Sequence, residues 1–220
     1  LGISLVRVPG AGCCGAVSFH LDAQEQALDA MRHNIDIWWP HVEQGAEALL
    51  FTASGCGVMI SDYGHLLAHD PAYAERAKRI AALACDLSTA IEKQKDELKQ
   101  ILTTNRPQGR FAFHAPCSLQ HGLKLKGRVE TLLTELGFDL APVADAHLCC
   151  GSAGTYSILQ PEISAQLKRN KINTLTASAP VQILTANIGC QTHLQSATPI
   201  KVRHWIEAVD DLLSALPSSS

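Results

Sequence analysis

Eight cysteines, at positions 13, 14, 56, 85, 117, 149, 150 and 190, are the residues of this sequence best suited to chemistry. Two adjacent pairs are each closed by glycine, Cys13-Cys14-Gly15 and Cys149-Cys150-Gly151. Neighbouring thiols can be buried filler, a redox pair, or two ligands of one metal centre. In the last case Cys117 and Cys190 are the natural companions, in the pattern Cys117-x31-Cys149-Cys150-Gly-x38-Cys190. Structural zinc is usually held by Cys-x2–4-Cys knuckles, which this pattern lacks. An iron–sulfur cluster presents several iron corners, so adjacent cysteines can reach different irons. The spacing favours a cluster and leaves zinc and a bare dithiol open; a vicinal disulfide is strained and therefore oxidising.

The elements that must position these thiols come in two similar sets. "LGISLVRVPGAGCCG" at residue 1 parallels "LGFDLAPVADAHLCCG" at residue 136, and "LLFTASGC", ending at Cys56, parallels "QILTANIGC", ending at Cys190. The offsets are 135 for the leucines, 136 for the cysteine pairs and 134 for the single cysteines, so the chain is read as a duplication with small insertions. The counterpart of Cys117 would fall before residue 1, which makes the chain read as the C-terminal part of something longer. Two repeats are expected, at 1–104 and 110–216, with "TTNRPQGR" as the linker.

Strand-like runs at 3–8, 48–53, 110–114, 138–143, 181–186 and 200–203 alternate with helix-like stretches at 23–39, 73–101, 123–136, 162–175 and 205–216. Pro40 is expected to end or kink the first helix. The alternation predicts an α/β fold of two similar halves, with mostly parallel sheets flanked by helices. Loops leaving the carboxyl ends of parallel strands gather on one edge, where α/β proteins build their sites. Cys117, Cys149, Cys150 and Cys190 all follow such strands. Gly151, Gly154 and Gly189 would allow close backbone approach there, with N–H groups available to sulfur.

Bulk properties narrow the classes. The chain has 220 residues, 46% hydrophobic and 18% charged, with a formal charge of −3. That balance gives no electrostatic reason to expect nucleic acid or anionic lipid. No apolar run is long enough to span a bilayer and no signal peptide is recognisable. A reducing, cytoplasmic compartment is expected, where clustered cysteines point to metal or redox chemistry more than to disulfides.

The duplicated Cys…Cys-Cys-Gly…Cys pattern resembles the cysteine-rich domain of heterodisulfide reductase and its relatives. Within that group, "GCCGAVSFHL", "NIDIWWPHVEQGAEAL", "PCSLQHGLKLKG", "HLCCGSAGTYSILQPE" and "ANIGCQTHLQS" are similar to the iron–sulfur subunits of bacterial glycolate oxidases. The resemblance implies an electron-transfer subunit with an iron–sulfur cluster, in the ordinary case [4Fe–4S]. FAD would sit on partner subunits that oxidise glycolate to glyoxylate, and electrons would pass towards the quinone pool, at the inner face of the membrane. It also implies an amino-terminal ferredoxin-like domain outside this sequence. Lactate, another 2-hydroxy acid or a heterodisulfide would be served by the same cysteine logic. Where the family pattern has a closing cysteine, this sequence has His193 in the second half and Met59 in the first. The second-half ligands would be Cys117, Cys149, Cys150 and Cys190, with His193 either a fifth ligand or a hydrogen-bonding side chain. The first half keeps Cys13, Cys14 and Cys56, and a cluster there would need an upstream segment.

Several residues have plainer readings. Cys85 suits a core thiol on a helix, and Met59 suits packing. His114 and His121 flank the Cys117 loop and could tune a centre from outside its ligand set. Asp62, Tyr63 and His65 read equally well as a polar site or a helix start. Trp38 and Trp39 are adjacent and cannot both face one core.

Overall fold

Every strand pair among the described residues is parallel, as the near-continuous apolar runs require. The computed structural model describes residues 2–102 and 105–214, which divide into two compact units, Gly2–Ala90 and the residues from Ile91 onward.

In the first unit, α1 (Ala16–His20) and α2 (Gln24–Glu43) precede β1 (Leu49–Phe51), α3 (Ser54–Ser61), α4 (Tyr63–Leu66), α5 (Ala74–Leu83) and β2 (Ala84–Asp86). Its sheet is the parallel pair β1–β2. The core gathers one stripe of α2, namely Ala27, Met31, Ile35 and Trp38, against Met59, Ile60, Tyr63, Ala77 and Ile80. A helix, α6 (Leu87–Glu92), follows β2.

The second unit contains α7 (Lys95–Ile101), β3 (Arg110–His114), α8 (Arg128–Glu135), β4 (Asp139–Leu140), α9 (Tyr156–Leu159), α10 (Pro161–Thr176), β5 (Gln182–Thr185), α11 (Ile188–Gln195), β6 (Val202–His204) and α12 (Trp205–Ser214). The four strands form one sheet in the order β4-β3-β5-β6. The chain leaves β3 towards one side and β5 towards the other, so the topology reverses between these two central strands. Such a switch point opens a crevice at their carboxyl ends. Both strands are buried along nearly their whole length.

The α/β architecture with parallel sheets and flanking helices is the one expected, and most strands and helices fall where the patterns placed them. Four elements differ. Residues 3–8 form no strand, and Ile3, Leu5 and Val6 are exposed. In the second unit the equivalent strand, β4, exists by pairing with β3, and no counterpart of β3 occurs among the described residues of the first unit. The helix expected over 73–101 is broken by β2, because β1 needs a partner and Ala84-Cys85-Asp86 supplies it. Asp86 then opens α6 by accepting a hydrogen bond from the Ser88 amide at 2.9 Å. Helix α2 runs on past Pro40 to Glu43. Finally, α8 begins at Arg128 and not near 123, because Lys124 and Gly127 take left-handed backbone conformations. Part of the expected linker, and residues 215–216 of the last helix, lie outside the described residues.

The paired tryptophans divide their roles. Trp38 is buried and stacks on Tyr63 at 6.4 Å, while Trp39 lies beneath the Arg76 guanidinium at 6.0 Å. Tyr63 starts α4 and fills the core, so the helix-start reading of Asp62 and its neighbours is the one the fold adopts. Met59 is core packing as well.

Candidate metal centre

In the second unit, three loops leave the carboxyl ends of β3, β4 and β5, and each brings cysteine to the same edge. Cys117 precedes a short π-helical turn, Ser118–Gly122. Cys149 and Cys150 lie in the loop after β4, and Cys190 lies in the first turn of α11 after β5. The sulfurs make a continuous chain of contacts: Cys117 with Cys149, Cys149 with Cys150, and Cys150 with Cys190. Cys150 and Cys190 are buried and form part of the core with Ala112, Leu175, Ile183 and Leu194. No disulfide joins the described cysteines.

This packing polarises the thiols. Hydrogen bonds from Cys117 and Cys150 hold the Cys149 thiol far below the ordinary thiol range. Cys190 is lowered too, chiefly by Cys150, with smaller contributions from His114 and Asn187 working against burial. Cys117 and Cys150 are pushed up, first by those same hydrogen bonds and then by burial. Thiols packed this closely share their protons, and sulfur ligates metal in the deprotonated form. Polar groups support them: the Gly151 amide donates to Cys149 Sγ at 3.3 Å, and Asn187 Nδ2 to Cys190 Sγ at 3.5 Å.

The loops are tied by side chains that sequence reasoning missed. Gln120 Nε2 donates to the Ala115 carbonyl at 2.7 Å and the Ala146 carbonyl at 3.1 Å, bridging the Cys117 loop to the loop of the cysteine pair. Lys171, almost wholly buried on α10, donates from Nζ to the Asp145 carbonyl at 2.7 Å. Ser164 Oγ donates to the Gly151 carbonyl at 2.8 Å. A signal for two of these exists in the sequence, since Ser164 and Lys171 share one face of α10 with Leu175 and interrupt its apolar stripe. Gly151 has φ +92°, and a Cβ there would come within 2.5 Å of the Ser164 carbonyl oxygen. At Gly189 a Cβ would press on Ser152 Oγ at 3.2 Å. Gly154 has φ +59° but open space around it, so its conformation alone calls for glycine.

The three histidines take different places around this centre. His114, at the end of β3, has a ring nitrogen within 4.8 Å of the Cys150 and Cys190 sulfurs, and those three donor atoms form one buried group. Neither ring nitrogen of His114 makes a hydrogen bond of good geometry, and the polar group it interacts with is the Cys190 thiol. His193 instead places Nε2 at 3.4 Å from Ser164 Oγ and is outside that group. His121 is exposed on the π-helical turn.

In the first unit the corresponding cysteines also meet. Cys14 contacts both Cys13 and Cys56, and Cys56 is lowered to about 7, chiefly by its hydrogen bond with Cys14. Cys13 is exposed, Cys14 buried and Cys56 half-buried. Their loop is anchored by Asn34, which accepts from the Gly12 amide at 2.8 Å and donates to the Cys13 carbonyl at 2.8 Å. Tyr63 adds a hydrogen bond from its hydroxyl to the Cys14 carbonyl at 2.9 Å. Three thiols are available here against four in the second unit. Cys85 lies apart, half-buried on β2 and not on a helix, with its sulfur 3.5 Å from the Asp86 carbonyl oxygen.

Parallel α/β units with cysteine loops gathered at the carboxyl ends of their strands define a class of cysteine-rich α/β proteins. The chain belongs to the cysteine-rich domain family with the Cys-Cys-Gly signature, which matches residues 1–61 and 111–195. It is 51% identical over 97% of its length to the glycolate oxidase iron-sulfur subunit of Escherichia coli, and spans 51% of that protein. It is 28% identical over 96% of its length to lactate utilization protein A of Anoxybacillus flavithermus, covering 87% of it. A probable glycolate oxidase iron-sulfur subunit of Bacillus subtilis is 28% identical over 86% of the chain, which covers 42% of that relative.

Proposed function

We propose that this chain is the iron–sulfur, electron-transferring part of an oxidoreductase complex that oxidises glycolate to glyoxylate. The observation that carries this reading is the convergence of Cys117, Cys149, Cys150 and Cys190, from three loops, at the switch point of one parallel sheet. The donor set fits a cluster: four neighbouring thiols, N–H groups aimed at sulfur, and a buried histidine whose ring nitrogen faces two of the sulfurs. Such a cluster, of the [4Fe–4S] type, would supply one-electron storage. The protein's part is to hold the four sulfurs, to keep water from Cys150 and Cys190, and to fix the loops through Gln120, Ser164 and Lys171. The names of the relatives at 51% and 28% identity support glycolate ahead of lactate.

The chain is read here as two cysteine-rich repeats, 1–104 and 110–216, whereas the compact units divide at Ala90, so that α7 packs with the second. The flavin belongs on partner subunits and the acceptor is a quinone, met at the cytoplasmic face of the membrane. A ferredoxin-like domain would precede the repeats. No helix of the described residues is long and apolar enough to cross a membrane.

A second reading has one specific observation in its favour. The donor atoms of His114, Cys150 and Cys190 lie within 4.8 Å of one another, a spacing also suited to a single tetrahedral zinc ion. Anaerobic reconstitution with iron and sulfide separates the two. About four irons per chain, with a paramagnetic signal altered by Cys149→Ser, is the result expected. Uptake of zinc without iron would establish the structural reading in its place.

A further inference from the structure

Histidine seldom sits in a protein core without a well-formed hydrogen bond at either ring nitrogen, because a buried polar atom left unsatisfied loses its solvation with nothing in return. His114 does so at 2% exposure. It is the last residue of β3 and pairs in register with Thr185 of β5, whose buried hydroxyl has no hydrogen-bond partner. These two side chains therefore lie next to each other on one face of the sheet, at the switch point. The strand holds the imidazole in place, with a ring nitrogen within 4.8 Å of the Cys150 and Cys190 sulfurs. His193, which stands where the resemblance leads one to expect a closing donor, uses its Nε2 on Ser164.

We infer that His114, and not His193, is the nitrogen ligand of this centre, standing beside Cys150 and Cys190. The inference rests on the iron–sulfur reading and deepens it. A neutral imidazole gives one nitrogen lone pair to iron and keeps its proton on the other nitrogen, so no electron or co-reactant is needed. A four-iron cluster has one open site on each iron, so with His114 on one corner three of the four cysteines take the others, and the ligand set is complete although the sequence lacks a closing cysteine. In mixed sulfur and nitrogen ligation, imidazole raises the reduction potential above that of an all-cysteine cluster.

The test uses the full chain, reconstituted anaerobically with ferrous iron and sulfide, with histidine labelled by nitrogen-15. Pulsed electron paramagnetic resonance on the reduced protein should show the large coupling of a directly bound imidazole nitrogen. That coupling should survive in His193→Ala and vanish in His114→Cys. The second variant offers a replacement thiolate, so it should keep its iron while its potential falls. A strong coupling that persists in His114→Cys, or that disappears in His193→Ala, overturns the assignment. So does a reconstituted cluster whose nitrogen coupling is absent or only of hydrogen-bond strength, and in that case the iron–sulfur reading still stands. If the wild-type chain takes up no iron, the iron–sulfur reading itself fails and this inference falls with it.

Discussion

Gly15 and Gly151 occupy equivalent places in the two units: each closes a cysteine pair in a left-handed conformation, at φ +87° and +92°, facing a backbone carbonyl of the second helix after it, α2 and α10. A Cβ would come within 2.9 Å of the Ala27 carbonyl oxygen at Gly15 and within 2.5 Å of the Ser164 carbonyl oxygen at Gly151. Backbone conformation and space thus both require glycine. Gly151→Ala should destabilise by more than about 2 kcal/mol, combining left-handed strain with the clash. Gly15→Ala should cost somewhat less. Gly154→Ala, with open space at the same sign of φ, should cost only about 1 kcal/mol. Urea denaturation of the three variants orders them.

Asn34 carries the anchoring of the first cysteine loop. It bonds the Gly12 amide and the Cys13 carbonyl, and reaches the Tyr63 hydroxyl at 3.3 Å. Asn34→Leu should lose roughly 3 kcal/mol, because buried backbone groups are left unpaired. Tyr63→Phe, which removes only the hydroxyl bonded to the Cys14 carbonyl, should lose about 1 kcal/mol. Equal losses in the two variants would mean that Tyr63, and not Asn34, holds the loop.

Lys171 places a buried ammonium in the electrostatic reach of Cys149 and Cys150. Lys171→Met keeps much of the side-chain volume and removes the charge. If those cysteines hold a cluster, its potential should fall by on the order of tens of millivolts, since lost positive charge favours the oxidised form. A redox titration of the reconstituted variant reads this directly.

Glu130 gives a pH signature. Burial pushes its carboxyl above the ordinary value of 4.5, against weaker lowering by its backbone and Lys126, and Oε2 has no hydrogen-bond partner. A raised carboxyl favours the folded state while protonated. That contribution is fully present below 4.5 and is lost as pH rises through the folded value. Glu130→Gln should therefore stabilise the chain near neutral pH and change little well below the carboxylate range. Thermal melts at the two pH values check the sign.

Cys85 is the internal control. It is remote in role from the other seven thiols, on β2 beside Asp86. Cys85→Ala should leave iron per chain unchanged and cost about 1 kcal/mol of packing. A loss of iron in this variant would mean that the thiols are grouped differently.

The edge on which the cysteines meet was legible from pattern alone, because apolar parallel strands followed by cysteine loops allow few other arrangements. Glycines 151 and 189 were legible for the same reason. The strand at Ala84–Asp86 was not, since its residues continue a helical apolar pattern and only the need of β1 for a partner turns them into a strand. The reverse error occurred at residues 3–8, which have a strand's composition and, among the described residues, no neighbouring strand to pair with. The sequence offered His193 as a candidate ligand and His114 only as a residue tuning the centre from outside its ligand set, so the place proposed for His114 was not legible there. Strand register at His114 and the hydrogen bond that His193 makes to Ser164 Oγ are what the proposal rests on, and both are tertiary facts.

The strand order also has a consequence for synthesis on the ribosome. Because β5 lies between β3 and β6, the strand that carries Cys190 to the centre is made after β4 yet must pair directly with β3. A nascent chain exposes Cys117, Cys149 and Cys150 before the last donor emerges. During that interval three thiols wait at an open sheet edge, exposed to oxidants and stray ions. Insertion of β5 closes the edge, so the four thiols come together only once β5 has paired with β3.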